Sequence, residues 1–233
     1  MIYFQTFFSK MFEAFRNAVV PFSCHLCGSK SGWRRVICTN CETRLAGLIQ
    51  APKEVRDVLF SFPIFTLGIY EEPLSTAIRT IKYRPSPRLW ECLDPFVHKV
   101  LTISRYRPEV VIPVPLHQER ENKRGFNQAA LIGRCVANAC GAAFSPAIKR
   151  SRFTRPQAEC SEEERRDNLK GAFSLAEDLC PESFRGRHIT LVDDVATTGS
   201  TLAGCALVLK ELKPASIQAL VLAHSYLRRQ TDR

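Results

Sequence analysis

The residues with the clearest chemical pattern lie between positions 188 and 201, in the stretch HITLVDDVATTGST. Residues 189–192 are apolar and rich in β-branched side chains, which predicts a strand buried on both faces of a parallel sheet. Asp193 and Asp194 follow at the carboxyl end of that strand. Residues 197–201 then supply a glycine and several hydroxyls, just before an amphipathic segment at residues 202–212. Because a helix N-terminus presents unpaired N–H groups and the positive end of a dipole, this turn predicts a phosphate site.

The two carboxylates cannot bind that phosphate directly, because they also carry negative charge. They suit two other tasks: accepting hydrogen bonds from the two hydroxyls of a ribose, or binding a Mg²⁺ ion that a phosphate also holds. The alternative is a strand, an Asp-capped turn and a helix without a ligand. The string in this order therefore predicts a phosphate site beside an acid pair that serves one of these two tasks.

Four cysteines near the N-terminus form a second chemical pattern. Cys24 and Cys27 make one C-x-x-C pair, and Cys38 and Cys41 make another after a short loop. Two such pairs bring four thiolates to one tetrahedral point, as in structural Zn²⁺ sites, and disulfides are the alternative. Four thiolates close the coordination shell, so His25 is predicted to be a bystander and the site to be structural.

The composition is that of an ordinary globular protein. The chain has 233 residues, of which 45% are hydrophobic and 24% are charged, values that argue against disorder. Lys and Arg outnumber Asp and Glu by 33 to 23, a formal net charge of +10 that favours nucleic acid or phosphorylated substrates as partners. Six of the ten cysteines show no pairing pattern and no secretory signal is visible, which predicts a reducing, cytoplasmic location.

The N-terminal segment is rich in phenylalanine at helical spacing. Residues 1–18 therefore predict an amphipathic helix that docks on the protein's own body. Lys10, Glu13 and Arg16 interrupt this segment well before the roughly 20 apolar residues of a membrane span, so no transmembrane segment is predicted. We expect two units: residues 1–50, with this helix and the zinc module, and residues 51–233, the main domain, entered through a linker at residues 51–56.

The main domain alternates strand and helix patterns, which predicts a parallel α/β sheet. Strands are expected at residues 64–70 and 110–114, and helices at residues 74–82, at residues 89–106 and through Asn138. Loops that follow strands lie at the carboxyl edge, where open α/β sheets bind ligands. The loop after the second strand carries Arg120 and Arg124 beside Gly125, and these cations should face the acid pair. Their guanidinium groups suit a pyrophosphate.

Three stretches in this order, PVPLH at residues 113–117, RGFNQ at residues 124–128 and VDDVATTGST at residues 192–201, stand behind the Cys₄ module. This arrangement resembles the ComF family of competence-associated phosphoribosyltransferase-like proteins, which includes ComFC and GntX-type members. The resemblance covers nearly the whole chain. It continues in the family's T-x-x-Q, L-S and R-x-x-N-x-x-G-A-F segment, matched by Thr154, Gln157, Ser161, Arg165, Asn168 and Phe173. It implies a type I phosphoribosyltransferase-like parallel sheet flanked by helices, with a small N-terminal Cys₄ zinc module.

The resemblance also implies phosphoribosyl pyrophosphate and Mg²⁺ as ligands. The acid pair would hold the ribose hydroxyls or the Mg²⁺, the turn would hold the 5-phosphate, and three cations would steady the pyrophosphate. In order, these residues are Asp193 and Asp194; Ala196, Thr197, Thr198, Gly199, Ser200 and Thr201; and Lys82, Arg120 and Arg124. No general base is evident, since His117 and Glu119 suit a loop-stabilising role better. The acceptor is not evident either.

Three positions depart from the family pattern. Lys82 is followed by Tyr83 and a Pro-containing basic loop, where the family tends to have K-x-x-G-D, which leaves the shape of that loop open. Cys160 stands where Leu is usual, and Ser200 stands where a small apolar residue is common. Neither of these two changes blocks phosphate binding.

Two functions of different classes are open at this point. One is a phosphoribosyl pyrophosphate-binding protein that handles internalised single-stranded DNA in natural competence, with DNA-uptake proteins as further partners. The other is an active phosphoribosyltransferase on an unknown acceptor in nucleotide or nutrient metabolism. Whether the zinc loop, with Lys30, Trp33, Arg34 and Arg35, also contacts nucleic acid is open.

Overall fold

The computed structural model describes residues 23–32, 35–55, 62–83, 87–150 and 171–225. Several sequence predictions lie outside these ranges. They concern the N-terminal helix at residues 1–18, Trp33 and Arg34 of the zinc loop, Arg56 of the linker, the basic loop at residues 84–86 and nearly all of the polar segment at residues 151–171.

Strands and helices alternate along the described residues. The helices are α1 (Thr39–Leu48), α2 (Leu74–Tyr83), α3 (Pro87–Ile103), α4 (Gln118–Arg124), α5 (Gln128–Cys140) and α6 (Ser200–Leu209). The strands are β1 (Lys53–Val55), β2 (Ile64–Thr66), β3 (Val110–Pro113), β4 (Ala143–Phe144), β5 (Ile148–Arg150), β6 (Phe173–Leu175), β7 (His188–Ala196) and β8 (Ser216–His224). Short 3₁₀ turns lie at Pro181–Ser183 and Lys210–Leu212. No helix in the described ranges combines the length and the apolar character needed to cross a bilayer.

The main sheet has six strands in the order β1-β2-β8-β7-β3-β4. The neighbouring pairs β2–β8, β8–β7, β7–β3 and β3–β4 are parallel. At one edge, β1 pairs with β2 in the antiparallel sense. Strands β5 and β6 form a separate antiparallel pair. Strand β7 is central, with Val192 opposite Pro113 of β3 on one side and Leu220 of β8 on the other. The predicted parallel α/β sheet is therefore confirmed.

Two hydrophobic cores cover the two faces of this sheet. Successive side chains of a strand point to opposite faces, so β7 contributes to both. Val192 belongs to the core that contains α2, α3 and α5, whereas Ile189 and Leu191 belong to the core that contains α6 and the β5–β6 pair. All three side chains are completely buried. The apolar run at residues 189–192 thus forms the doubly covered strand that its composition predicts.

Four predictions about element boundaries need correction. Strand β7 continues through both aspartates to Ala196, because its backbone keeps pairing with β8 up to that residue. The segment at residues 118–124 is the helix α4, not a loop; it is polar all round and shows no apolar stripe. Residues 53–55 form the edge strand β1 within the predicted linker. Strand β2 ends at Thr66, whose hydroxyl donates to the carbonyl of Gly68 at 2.7 Å.

The cysteine-bearing segment packs directly on the main sheet. Helix α1 places Cys41 and Leu45 in the same core as α2 and α3. At the end of α1, the backbone passes so close to the sheet that a side chain on Gly68 would lie 2.8 Å from Leu74 Cδ2 and 3.0 Å from the carbonyl of Leu48. One continuous core therefore joins the cysteine segment to the helices that border the site described next.

Candidate phosphate and sugar site

A crevice of about 550 Å³ opens at the carboxyl edge of the sheet, beyond the ends of β3 and β7. This is the edge at which open α/β sheets bind ligands. The sequence-predicted residues that line it are Lys82, Arg120, Arg124, Asp193, Asp194, Thr197 and Thr201. The fold therefore brings the acid pair, the hydroxyl turn and all three predicted cations to one crevice.

The two aspartates point to opposite faces of β7, as neighbours in a strand must. Asp194 is 7% exposed and faces the side of α2 and α5, where Lys82 and Arg124 lie. Asp193 faces the other side, towards Cys205 of α6 and Arg150 of β5. The acid pair therefore divides the crevice into an Asp194 side and an Asp193 side.

Lys82 forms an ion pair with Asp194. Its Nζ atom lies 3.2 Å from Oδ2 and 3.4 Å from Oδ1, and the two side chains are 35% and 9% exposed. Burial opposes the charge of the ammonium group, but the carboxylates of Asp194 and Asp193 outweigh it and raise the pKa of Lys82. Lys82 is therefore charged. The sequence predicts that Lys82 binds pyrophosphate. In the structure, its ammonium group pairs with the carboxylate of Asp194 instead.

Asp193 is in a different electrostatic situation. Burial, and after it the charge of Asp194, raise the pKa of Asp193. Lys82 and the backbone N–H of Asp194, which donates to Asp193 Oδ1 at 2.8 Å, act in the opposite direction. Two adjacent negative charges are thus disfavoured here. Hydroxyl donors or a cation entering the crevice would relieve this cost.

The turn between β7 and α6 has the form of an anion site. Gly199 has a φ of 67°, in the left-handed region that favours glycine, and is the N-cap of α6. Gly199 offers no capping side chain, so the N-terminus of α6 presents backbone N–H groups at this turn. The hydroxyls of Thr198 and Ser200 lie 2.8 Å apart. Ala196 is buried, and its carbonyl accepts from the N–H of Ser225, which anchors the start of the turn.

Helix α4 carries the two predicted arginines. His117 is its N-cap and accepts from the N–H of Glu119 at 3.3 Å, which is the loop-stabilising role predicted for it. At the other end, Gly125 closes the helix with a φ of 82°. Arg124 donates to Gln128 Oε1 at 2.5 Å. Burial lowers the pKa of Arg124, while Asp194 opposes this shift.

Several crevice residues were not predicted as ligand-binding. Gln128 is 5% exposed, and its Nε2 atom has no hydrogen-bond partner in the described part of the chain. Asn127 donates to the carbonyl of Val114 at 3.0 Å and thereby joins α5 to the end of β3. Asn127 and Gln128 lie in the RGFNQ stretch, a motif that is recognisable in the sequence. No sequence pattern points to Arg150 or Tyr70, because only the tertiary fold brings them to the crevice.

The four N-terminal cysteines also come together as predicted. The Sγ atoms of Cys24, Cys27, Cys38 and Cys41 all lie within 4.8 Å of one another. Hydrogen bonds from Ser29 lower the pKa of Cys27 to about 6, whereas burial raises the pKa of Cys41. A buried thiol of this kind loses its proton when a cation is bound beside it. The cluster could hold a metal such as zinc, for which four thiolates are a common ligand set.

These features define the class of the protein. A central strand of a parallel sheet ends in an acid pair, a glycine-bearing hydroxyl turn follows it at a helix N-terminus, and cations from α2 and α4 face both. That is the architecture of type I phosphoribosyltransferases. The Cys₄ cluster, which packs on the same core, narrows this class to proteins that carry such a cluster.

The chain belongs to the ComF family. It is 33% identical to competence protein F of Haemophilus influenzae over 208 residues, which is 87% of this chain and 84% of that protein. It is 34% identical to the DNA utilization protein YhgH of Escherichia coli O157:H7 over 70% of this chain and 72% of that protein. Competence protein ComFC of Bacillus subtilis is 27% identical over 87% and 78% of the two chains. No protein-family model matches the chain.

Solved structures similar to the chain include two adenine phosphoribosyltransferases. The enzyme from Saccharomyces cerevisiae gives a TM-score of 0.40 at 13% identity, covering 82% of this chain and 94% of that one. The enzyme from Leishmania tarentolae gives a TM-score of 0.42 at 10% identity, covering 76% and 96%. At these scores the likeness is distant.

Proposed function

We propose that the crevice binds phosphoribosyl pyrophosphate together with Mg²⁺, and that the protein acts in the handling of single-stranded DNA during competence. The observation that carries the first part is the joint position of the acid pair, the N-terminus of α6 behind Gly199 and three cations around one crevice. A ligand with a ribose between two phosphate groups matches this order of charges.

Each part of the ligand has a matching group. The 5-phosphate fits the turn at residues 197–201, where N–H groups and hydroxyls donate. The ribose hydroxyls fit Asp193 and Asp194, which accept. The pyrophosphate fits Arg120 and Arg124, with Lys82 joining them once it leaves Asp194.

Mg²⁺ suits the oxygen ligands offered here, because it binds one or two carboxylates together with substrate phosphates. When bound, the ion would neutralise part of the negative charge of the pyrophosphate group. Asp193 and Asp194 are the residues that would hold it. The pair's mutual repulsion favours a cation at this point.

The role in DNA handling is supported by the family. Relatives that cover most of the chain are named competence proteins and DNA utilization proteins. The formal net charge of +10 is consistent with a polyanionic partner. A reducing compartment, the cytoplasm, fits the free thiols of nine described cysteines.

An active phosphoribosyltransferase is the alternative. An acceptor nitrogen would form a bond to C1 of the ribose as the C1–O bond to pyrophosphate breaks, and the nitrogen's proton would pass to water. Positioning and electrostatic stabilisation would supply most of the rate. Pyrophosphate release with a panel of candidate acceptors separates this alternative from binding alone.

We expect isothermal titration of the wild-type protein with phosphoribosyl pyrophosphate to show one site with a dissociation constant in the micromolar range, about 8 kcal/mol of binding free energy. The affinity should rise when Mg²⁺ is present, because Asp193 and Asp194 would hold the ion and it would neutralise the pyrophosphate charge. Ribose without phosphate is the control and should not bind measurably. Heat signals equal to those of buffer for phosphoribosyl pyrophosphate with Mg²⁺ would refute the proposed ligand.

We expect the affinity for a single-stranded oligonucleotide to fall steeply with salt. Four contacted phosphates would give a slope of about −3 in a plot of log affinity against log salt, since each contact releases condensed counterions. Fluorescence anisotropy of a labelled thymidine oligonucleotide measures this slope. An affinity that does not respond to salt, or no binding at low salt, would count against a direct DNA-binding role.

A further inference from the structure

Gln128 is a buried polar side chain between the crevice and a small cavity next to it. It is the first residue of α5 and is 5% exposed. Its side chain lines both spaces, and the small cavity is lined otherwise by Asp194 and by apolar or aromatic side chains such as Ile81 and Leu222. An apolar residue would suit these surroundings better, so the polar amide at this position needs a physical reason.

One end of the Gln128 side chain is bound to Arg124. The Nη1 atom of Arg124 donates to Gln128 Oε1 at 2.5 Å. A guanidinium group carries only donors, so the carbonyl oxygen of the amide must face it and the NH₂ group must point away from it. That NH₂ group is buried and has no hydrogen-bond partner among the described residues. The fold thus keeps the contact with Arg124 at the expense of a buried donor without a partner, which lowers stability.

The backbone at Gln128 is anchored, whereas the helix that carries Arg124 is not. Asn127 caps α5, and its amide donates to the carbonyl of Val114 at 3.0 Å, which ties the start of α5 to the end of β3. Helix α4 is short and has no buried residue, so packing against the core does little to fix its last residue, Arg124. The hydrogen bond from Arg124 to Gln128 therefore joins an exposed helix to a fixed point of the fold.

We propose that Gln128 is a positioning residue, which holds the guanidinium group of Arg124 ready for the pyrophosphate group of the ligand. The bond to Gln128 engages one of the five N–H donors of the guanidinium group, and a two-point contact with a phosphate needs only two. An arginine that is already held loses less side-chain entropy when the ligand binds. This inference rests on the proposed function, because it needs a pyrophosphate group beside Arg124.

The test is a double-mutant cycle, measured by titration of the full-length protein with phosphoribosyl pyrophosphate and Mg²⁺. Gln128→Met removes both polar atoms and should weaken binding about threefold to tenfold, the range expected for ordering one long side chain. Arg124→Met should weaken binding at least as much. Because Gln128 acts through Arg124, the double variant should bind within about twofold of Arg124→Met. Ribose 5-phosphate, which lacks the pyrophosphate group, should bind to Gln128→Met within about twofold of the wild type.

The unfolding midpoint separates positioning from a structural role. Without ligand, Gln128→Met should unfold at the wild-type temperature or above it, because the variant lacks the unpartnered buried donor and Arg124 is only half-buried. Gln118→Met is the matched control. Gln118 is exposed on α4, and its Nε2 atom donates to Asn122 Oδ1 at 2.9 Å. Its replacement should leave the affinity and the unfolding midpoint unchanged.

The outcomes separate this inference from the proposed function. Wild-type affinity of Gln128→Met for phosphoribosyl pyrophosphate, or single effects that multiply in the double variant, would overturn the positioning role and leave the proposed function standing. An equal loss of affinity for both ligands with a lower midpoint would show a structural role instead. If Gln128→Met does not fold, Gln128→Leu replaces it in the cycle, and failure of both to fold would also show a structural role. A wild-type protein that does not bind phosphoribosyl pyrophosphate would overturn the proposed function and this inference together.

Discussion

Replacing Cys27 by serine is expected to abolish metal binding at the cysteine cluster and to lower the stability of the whole chain. The wild-type protein, purified without added metal, should carry about one equivalent of zinc, and Cys27→Ser should carry less than about half. The expected loss of stability is at least about 3 kcal/mol, or a fall in unfolding midpoint of roughly 10 °C. Elemental analysis and thermal unfolding measure the two effects.

The position of Cys27 makes this substitution informative. Cys27 is exposed, whereas Cys24 and Cys41 are 3% and 1% exposed within the main core. Serine at position 27 therefore removes a metal ligand without opening a cavity. The stability loss should spread beyond the cysteine segment, because Leu45 and Ile49 share their core with α2 and α3.

Cys180→Ser is the matched control for this prediction. Cys180 is also an exposed free cysteine and lies outside the cluster. The same change of sulfur to oxygen should leave zinc content and unfolding midpoint unaltered. Full zinc content in Cys27→Ser would show that Cys27 is not a metal ligand, and an unchanged midpoint after zinc loss would show that a metal does not stabilise this core.

The double replacement Asp193→Asn with Asp194→Asn is expected to weaken binding of phosphoribosyl pyrophosphate with Mg²⁺ by at least about a hundredfold. Two charged hydrogen bonds to ribose hydroxyls contribute about 3 kcal/mol or more, and the amide groups also lose their attraction for Mg²⁺. Titration calorimetry of variant and wild type gives the ratio directly.

The same variant should remain folded. Burial and the charge of Asp194 raise the pKa of Asp193, so the ionised carboxyl costs stability in the folded chain at neutral pH. A neutral amide at position 193 removes that cost. Lys82 loses its partner but can reach water, since its side chain is 35% exposed. We therefore expect an unfolding midpoint equal to or above that of the wild type in the absence of ligand.

Glu182→Gln provides the same chemical change at a distance from the crevice. Glu182 is 70% exposed and pairs with Arg185 at 3.2 Å. Its replacement should leave the affinity for phosphoribosyl pyrophosphate unchanged. If the affinity of the acid-pair variant lies within about threefold of the wild type, the two aspartates do not bind this ligand.

The parts of the site that could be predicted are contiguous in sequence. The apolar run, the acid pair and the hydroxyl turn occupy residues 189–201, so strand burial and helix polarity suffice to interpret them. The four cysteines meet for a similar reason, since two C-x-x-C pairs lie close together in the chain. The alternation of strands and helices predicts the edge of the sheet at which Arg120 and Arg124 lie.

The parts that could not be predicted depend on contacts between distant segments. Lys82 and Asp194 are 112 positions apart, and no local pattern reveals their ion pair. Arg150 reaches the crevice through a two-stranded ladder whose partner strand starts at Phe173. Helix α4 was missed because a short polar helix has no apolar stripe, and its caps, His117 and Gly125, are its main signal.

The close approach at Gly68 brings together two segments that are far apart in the sequence. The carbonyl oxygens of Leu48 and Leu222 both lie near this glycine, so the end of α1 meets β8, the last strand of the described chain. Cys41 lies far before β8 in the sequence, yet its core includes Leu220 and Leu222 of that strand. Contacts of such sequence separation form late. Cys24 and Cys41 therefore stay accessible to metal until β8 joins the sheet, whereas Cys27 is exposed in the folded chain as well.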